Sequence, residues 1–280
     1  MQLKDLIKKL ENQIPRSEAL DWDNVGLLVG DREQQIHKVY LALDLTDAVL
    51  EHAIAAGADL ILTHHPLIFG GIKHVSTDDF IGRRIIGLVQ NHISYYAMHT
   101  NFDVCVMGNL AASYLELTDV EVLDVTSEND GVRGIGCVGE LTQEMCVQDM
   151  AAMVRDRFGL SHVKVFGNPD TKVKRVALCP GSGKSEIALA KQKHADVYIT
   201  GDMDHHSGID AVADDLVIID AGHYGTEYIT HIYGLYERVV AGTDTGPYGH
   251  GRALCRTLLD CLEVMRYADS CDSTEKRVCV

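Results

Sequence analysis

VYLALDLTDAVLEHAIAAGADLILTHH, residues 39–65, reads as a strand, a helix and a second strand. VYLAL is an apolar run of strand formers. Thr46 is placed to cap a helix over Asp47–Ala56, because a threonine hydroxyl can accept one of the amides that a helix start leaves unbonded. Gly57 ends that helix, since glycine takes the left-handed conformation of a helix C-terminus at little cost. Val49, Leu50, Ala53 and Ile54 give it an apolar face. ADLIL then reads as a short buried strand. Strand, helix and strand at this spacing form the unit of a parallel sheet. A helix over roughly 78–91 follows, and it leads into the strand ISYYAM and then HTNFD.

The same order of parts recurs over residues 173–227. VKRVAL is a strand, PGSG a turn, Lys184–His194 helical, ADVYI a strand ending in TGDMDHH, and LVIID a strand ending in AGHYGTE. ADLILTHH and ADVYITGD agree at Ala, Asp and Thr, with apolar strand residues between them. MHTNFD and GHYGTE agree as His-x-x-x-carboxylate. The expected fold is α/β, with two related halves of mainly parallel strands. The expected division is an N-terminal half over 1–120, a connecting segment over 121–172, a C-terminal half over 173–240 and an atypical tail over 241–280. GIGCVGEL reads as a strand of the connecting segment and 146–158 as its helix. No linker rich in Pro, Gly or Ser separates the halves. Shared strand preference is the competing account of so short a repeat.

Composition narrows the classes. The chain has 280 residues, 46% of them hydrophobic, and a formal net charge of −16. That charge repels phosphate backbones, so direct nucleic-acid binding is not expected. The eight cysteines include no Cys-x-x-Cys. The opening MQLKDLIKKLENQI reads as an amphipathic helix rather than a signal peptide. No run approaches the ~18 apolar residues of a membrane span. These features fit a cytoplasmic chain with reduced thiols and no membrane contact.

Open parallel sheets carry their chemistry beyond the carboxyl ends of their strands. Four expected strands end in polar clusters: Thr63-His64-His65, His99 to Asp103, Thr200-Gly201-Asp202, and His223 to Glu227. Imidazole suits ions such as zinc, iron, nickel or cobalt, and a carboxylate adds charge and can bridge two of them. Two ions about 3.5–4 Å apart can hold both the attacking and the leaving oxygen of a displacement. A single histidine after a strand is usually an ordinary polar residue. Two His-x-x-x-acid units at matching strand ends, with an adjacent histidine pair and an aspartate, point to metal binding.

Other stretches stay open. CPGSGKSE, residues 179–186, resembles a phosphate-binding loop, but Leu178 stands where the first glycine should be. What remains is either an anion-holding turn at a helix start or a plain tight turn. His205 and His206 either face the site or simply begin a helix. Asp44 can orient a ligand histidine. WDNVGLLVG, residues 22–30, holds the chain's only tryptophan and reads as a buried, hairpin-like segment.

WDNVGLLVG, GADLILTHHPLIF, MHTNFD, VYITGDMDHH and AGHYGTE, taken together and in this order, resemble the Nif-three-like family, the GTP cyclohydrolase 1 type 2 homologs. The resemblance runs from the N-terminus to about residue 240. It implies two α/β domains with a dinuclear metal site between them, and a toroidal homohexamer. It implies His64, His65, Asp103, His223 and Glu227 as ligands, with Glu227 bridging, and His99 beside them as a ligand or supporting residue. The two divalent ions per chain would be zinc, iron, manganese, nickel or cobalt. Some members of the family carry a large insertion between the halves, which residues 121–172 are too few to hold. The tail from about 241 does not resemble the family's closing strand.

The function expected from these signals is a metal-dependent hydrolase acting on a small molecule: GTP cyclohydrolase-like, or directed at a phosphoester or nucleotide. His99, His205 and His206 are the candidate acid–base groups. The alternative is a metal-binding scaffold or regulatory interaction protein without turnover.

Overall fold

The helix Asp47–Ala56 forms as its sequence dictates. The Thr46 hydroxyl accepts the Val49 amide at 3.1 Å, a cap worth about 1 kcal/mol. Gly57 ends the helix at φ 68°. In the computed structural model, residues 1–128 and 131–229 and the backbone of residues 263–266 are described. The chain divides into two compact units, the first built from residues 1–100 together with the strand at 263–266, the second beginning at Asn101. The fold is α/β with mainly parallel strands, as the sequence indicates.

The first unit contains α1 (Leu3–Gln13), β1 (Gly26–Val29), β2 (Lys38–Ala42), α2 (Asp47–Ala56), β3 (Leu60–Thr63), α3 (Phe80–Gln90) and β4 (Ser94–Ala97). A further strand, β11 (Glu263–Arg266), pairs in parallel with β2. The sheet order is β1-β4-β3-β2-β11, with only β1 antiparallel to its neighbour. The three central strands are buried on both faces, which is why they read as continuous apolar runs rather than alternating ones. Tyr40, Ile61, Leu88 and Tyr95 are among the residues of this unit's core. The tail was expected to be atypical. Its strand at 263–266 is the described part, and the remainder lies outside the described residues.

The second unit opens with a helical run: α4 (Thr100–Phe102, its first residue still in the first unit), a π-helical turn over Asp103–Met107, and α5 (Gly108–Tyr114). β5 (Thr118–Ser127), β6 (Arg133–Cys146), α6 (Val147–Arg157), β7 (Lys164–Phe166), β8 (Lys172–Ser182), α7 (Ile187–Gln192), β9 (Val197–Gly201), α8 (His205–Ala213), β10 (Val217–Asp220) and α9 (His223–Ile229) follow. The sheet order is β5-β6-β8-β9-β10-β7. Residues 121–172 thus supply β6, α6, β7 and most of β5 to this unit. α6 packs Val147, Met150 and Val154 into its core.

The internal repeat holds at the level of topology. β1 to β4 lie in the order 1-4-3-2, with the first strand antiparallel, and β7 to β10 lie in the order 7-10-9-8 in the same way. The matching aspartates act alike. The Asp59 carboxylate accepts the amides of His37 and Lys38, and that of Asp196 accepts the amides of Lys174 and Arg175, all at 2.7–2.8 Å. Each ties the start of the neighbouring parallel strand to its own. Among the described residues no helix is long and apolar enough to cross a membrane.

Candidate metal centre

In the first unit, β3 ends at Thr63 and delivers His64 and His65. His64 is fully buried and His65 half-buried. A buried tyrosine on the adjacent β4 fixes the turn that carries them. Tyr95 Oη accepts the Leu67 amide at 2.8 Å, donates to the His65 carbonyl at 3.0 Å and lies 2.8 Å from Thr63 Oγ1. Burial raises the Tyr95 phenol to a pKa of about 12, so it acts as a neutral hydrogen-bonding post.

His99 stands two residues beyond β4. The imidazole ring centres of His64, His65 and His99 lie 4.9–5.5 Å apart, and one ligand atom from each falls within 4.8 Å of the others. Aspartates hold two of these rings. His65 Nδ1 is 2.8 Å from Asp44 Oδ1, and His99 Nδ1 is 3.0 Å from Asp23 Oδ1. The other Asp23 oxygen accepts the Thr100 amide and hydroxyl at 2.9 and 2.6 Å. Burial pushes the Asp23 carboxyl up, but the hydrogen bonds from His99 and Thr100 outweigh it and hold the pKa at about 2. A carboxylate on Nδ1 fixes the orientation of the ring, the arrangement that metal-bound histidines commonly show.

The second unit repeats this device. His223 Nδ1 is 2.7 Å from Asp202 Oδ2, and His223 Nε2 is 3.1 Å from Glu227 Oε1. Asp202 reaches the ring from a left-handed backbone, φ 57°, at the end of β9. Such an outlier in a non-glycine residue is more common at functional positions. The hydrogen bond with Glu227 raises His223 most, burial opposes it, and Asp202 adds to it; the pKa rises to about 9. At neutral pH a proton therefore occupies the edge shared by His223 and Glu227.

Several expectations change here. His223 and Glu227 face one another across one turn of α9, not on a curled loop: residues four apart on a helix share a face. Glu227 is only 4% exposed, so it is not the surface loop residue that a position past a strand suggests. The two His-x-x-x-acid motifs are also one residue out of step. Met98 and Ala221 make the matching bond to the Thr63 and Thr200 carbonyls, which puts His99 one residue past that point and His223 two. Asp103 is half-buried at the head of the π-helical turn, a feature frequent at functional positions. His205 and His206 are exposed at the start of α8, which Asp204 caps through the Ser207 amide at 3.0 Å; among the described residues neither joins a donor set.

The Gly-rich turn is not an anion cradle. The Gly181 amide donates to Thr226 Oγ1 and the Gly183 amide to Thr200 Oγ1, both at 2.9 Å. Lys184 is paired with Asp204. β8 runs through Pro180 to Ser182, where a turn was expected. The use of this segment is steric. Gly181 lies at φ 74°, and a Cβ there would come within 2.3 Å of Glu227 Oε1. Asp23, Tyr95 and Gly181 carry no spacing signal that a sequence search for metal ligands would register. Trp22, expected to be buried, is 62% exposed.

A family model described as Duf34/NIF3 (NGG1p interacting factor 3) matches residues 1–241. A GTP cyclohydrolase 1 type 2 homolog of Clostridium perfringens is 39% identical over 230 residues, which cover 81% of this chain and 87% of that protein. A hypothetical protein of Staphylococcus aureus with a solved structure is 30% identical, with a TM-score of 0.78 over 84% of this chain and 90% of its own. A Bacillus cereus protein related to NIF3, 24% identical, has the same fold, with a TM-score of 0.85 over 98% of both chains.

Proposed function

We propose, for a chain that belongs to the Duf34/NIF3 (NGG1p interacting factor 3) family, that it is a metal-dependent hydrolase binding two divalent cations and acting on a small molecule. The observation that carries this reading is the threefold use of one device. His65, His99 and His223 each have Nδ1 on an aspartate, which fixes how each ring is turned. Buried polar side chains cost stability unless they are satisfied, so such an investment in orienting imidazoles fits cation binding better than packing.

The residues suit the group. His64, His65, Asp103, His223 and Glu227 are the proposed ligands, and Glu227 is the proposed bridge. A proton between His223 and Glu227 marks an edge that a cation can take instead. Divalent cations bound there supply Lewis acidity, polarising the group attacked and acidifying water. Asp44, Asp23 and Asp202 fix the orientation of the imidazole rings. His99 either adds a ligand or exchanges a proton with substrate, and His205 or His206 would have to approach to do so. Curated relatives bear the name GTP cyclohydrolase 1 type 2 homolog, which supports a nucleotide-related substrate; a phosphoester is the other candidate. The proposed assembly is a homohexamer and the proposed compartment the cytoplasm.

Elemental analysis of protein purified without chelator, joined to a screen against nucleotides, phosphoesters and cyclic amides, tests the proposal. Two ions per chain with hydrolysis of one class is the expected result. Two ions with no turnover on any class favours the scaffold alternative. One ion or none after reloading overturns the dinuclear reading.

A further inference from the structure

Two large, exposed aromatic side chains flank a donor histidine. Trp22 is 62% exposed and Phe69 54% exposed, although each could bury ~150–250 Å² of surface if packed inside. Each ring meets the His99 imidazole nearly edge-on, with centres 5.8 Å apart and planes at 76° and 84°. They come from two separate loops, one before β1 and one after β3. The loops are tied together: Asn24 Nδ2 donates to the Ile68 carbonyl at 2.6 Å. Asp23, between Trp22 and Asn24, pins His99 itself. The arrangement is thus built from both ends and is not an accident of a loose loop.

A cavity of about 550 Å³ opens beside it, lined by His65, Phe69, Ile72, Phe80 and Arg84 among others. Its size is that of a small-molecule pocket, which commonly runs from ~300 to 1,000 Å³. Its walls are largely apolar, with a metal-donor candidate at one side. A flat conjugated ring presents the most surface to such faces, since stacking on each aromatic contributes ~1–3 kcal/mol.

We propose that Trp22 and Phe69 form an aromatic shelf that binds the planar unsaturated ring of a small-molecule substrate beside His99. The shelf rests on the metal-dependent reading only for what happens to the ring once it is bound. Its selectivity is for flatness and conjugation, not for phosphate.

Trp22 is the chain's only tryptophan, so its emission reports on the shelf alone. The test titrates the full-length protein with guanosine 5′-monophosphate and uridine 5′-monophosphate, and with ribose 5-phosphate, which keeps the sugar and phosphate but lacks the ring. Metal content is measured on the same samples. The expected result is saturable quenching by the ring-bearing ligands and none by ribose 5-phosphate. Phe69→Ala should weaken the response about tenfold, the loss of one stacking face, and Phe69→Tyr should preserve it. Equal response to all three ligands, or response to none, overturns the shelf. So does emission that acrylamide reaches only after dilution, since a second copy would then cover Trp22. Ring-dependent quenching in a chain that holds no ions leaves the shelf standing and removes the metal reading. Bound ions without ring-dependent quenching do the reverse.

Discussion

A proton and a cation compete for the same edge of His223. Its pKa of about 9 is raised above the ordinary 6.5, first by the bond to Glu227. The stability contributed by that pair is therefore fully present below pH 6.5 and is lost as pH rises through about 9. Cation binding must expel the proton anywhere within this window. Calorimetric loading at neutral pH, repeated in buffers of different ionisation enthalpy, should show at least one proton released per chain, and apparent affinity should climb toward pH 9. Affinity independent of pH across that range would remove His223 from the ligand set. Asp23 titrates near 2 and stays charged throughout, so it does not contribute to the effect.

The same edge defines a test of Glu227. Glu227→Gln keeps the shape but removes the charge that would offset repulsion between two cations a few ångströms apart. The variant should hold one ion at most and lose hydrolytic activity. Its fold should survive with a loss on the order of 1 kcal/mol, because a buried amide still accepts a hydrogen bond and costs less to bury than a carboxylate. His205→Ala changes an exposed residue outside both donor sets, so it should keep both ions and lower turnover only if that histidine moves protons. Metal content and circular dichroism, read beside wild type, separate the outcomes. Two tightly held ions in Glu227→Gln would rule out a bridging role.

At the scale of elements, legibility followed whether the signal was local. α2 could be read from end to end because a cap, an apolar stripe and a terminal glycine all lie within its own residues. His-Tyr-Gly-Thr-Glu reads as a loop because it carries no apolar helix stripe, yet these residues form most of α9. The Gly-rich segment misled for the opposite reason: glycines that resemble a phosphate cradle are there to let β8 pass close to Glu227. That difference can be measured. Gly181→Ala should impair cation binding more than folding, since a methyl group would strike the Glu227 carboxylate and strain a φ of 74°. A loss of metal affinity of about tenfold or more, with circular dichroism unchanged, is the expected result. Normal metal affinity in a soluble, folded variant would show that Gly181 serves the backbone alone.

Across the whole molecule, the duplicated topology is visible in two short strings, because each preserves the aspartate that ties neighbouring strands and a threonine at or next to the strand's end. The long β5–β6 pair was seen only as the fragment GIGCVGEL: its partners are remote in sequence, and no residue pattern near at hand fixes so long an antiparallel pairing. Oligomeric state belongs to this scale as well. Each chain carries a formal charge of −16, so a homohexamer must bring like charges together and should be screened into stability by salt. Bound cations act in the same direction by neutralising carboxylates. Light scattering at physiological ionic strength should give six times the chain mass for metal-loaded protein. Chelation combined with low salt should shift the distribution toward smaller species. A chain mass unchanged from the monomer at every salt and metal concentration would exclude the hexamer, and any active centre would then have to be complete within a single copy.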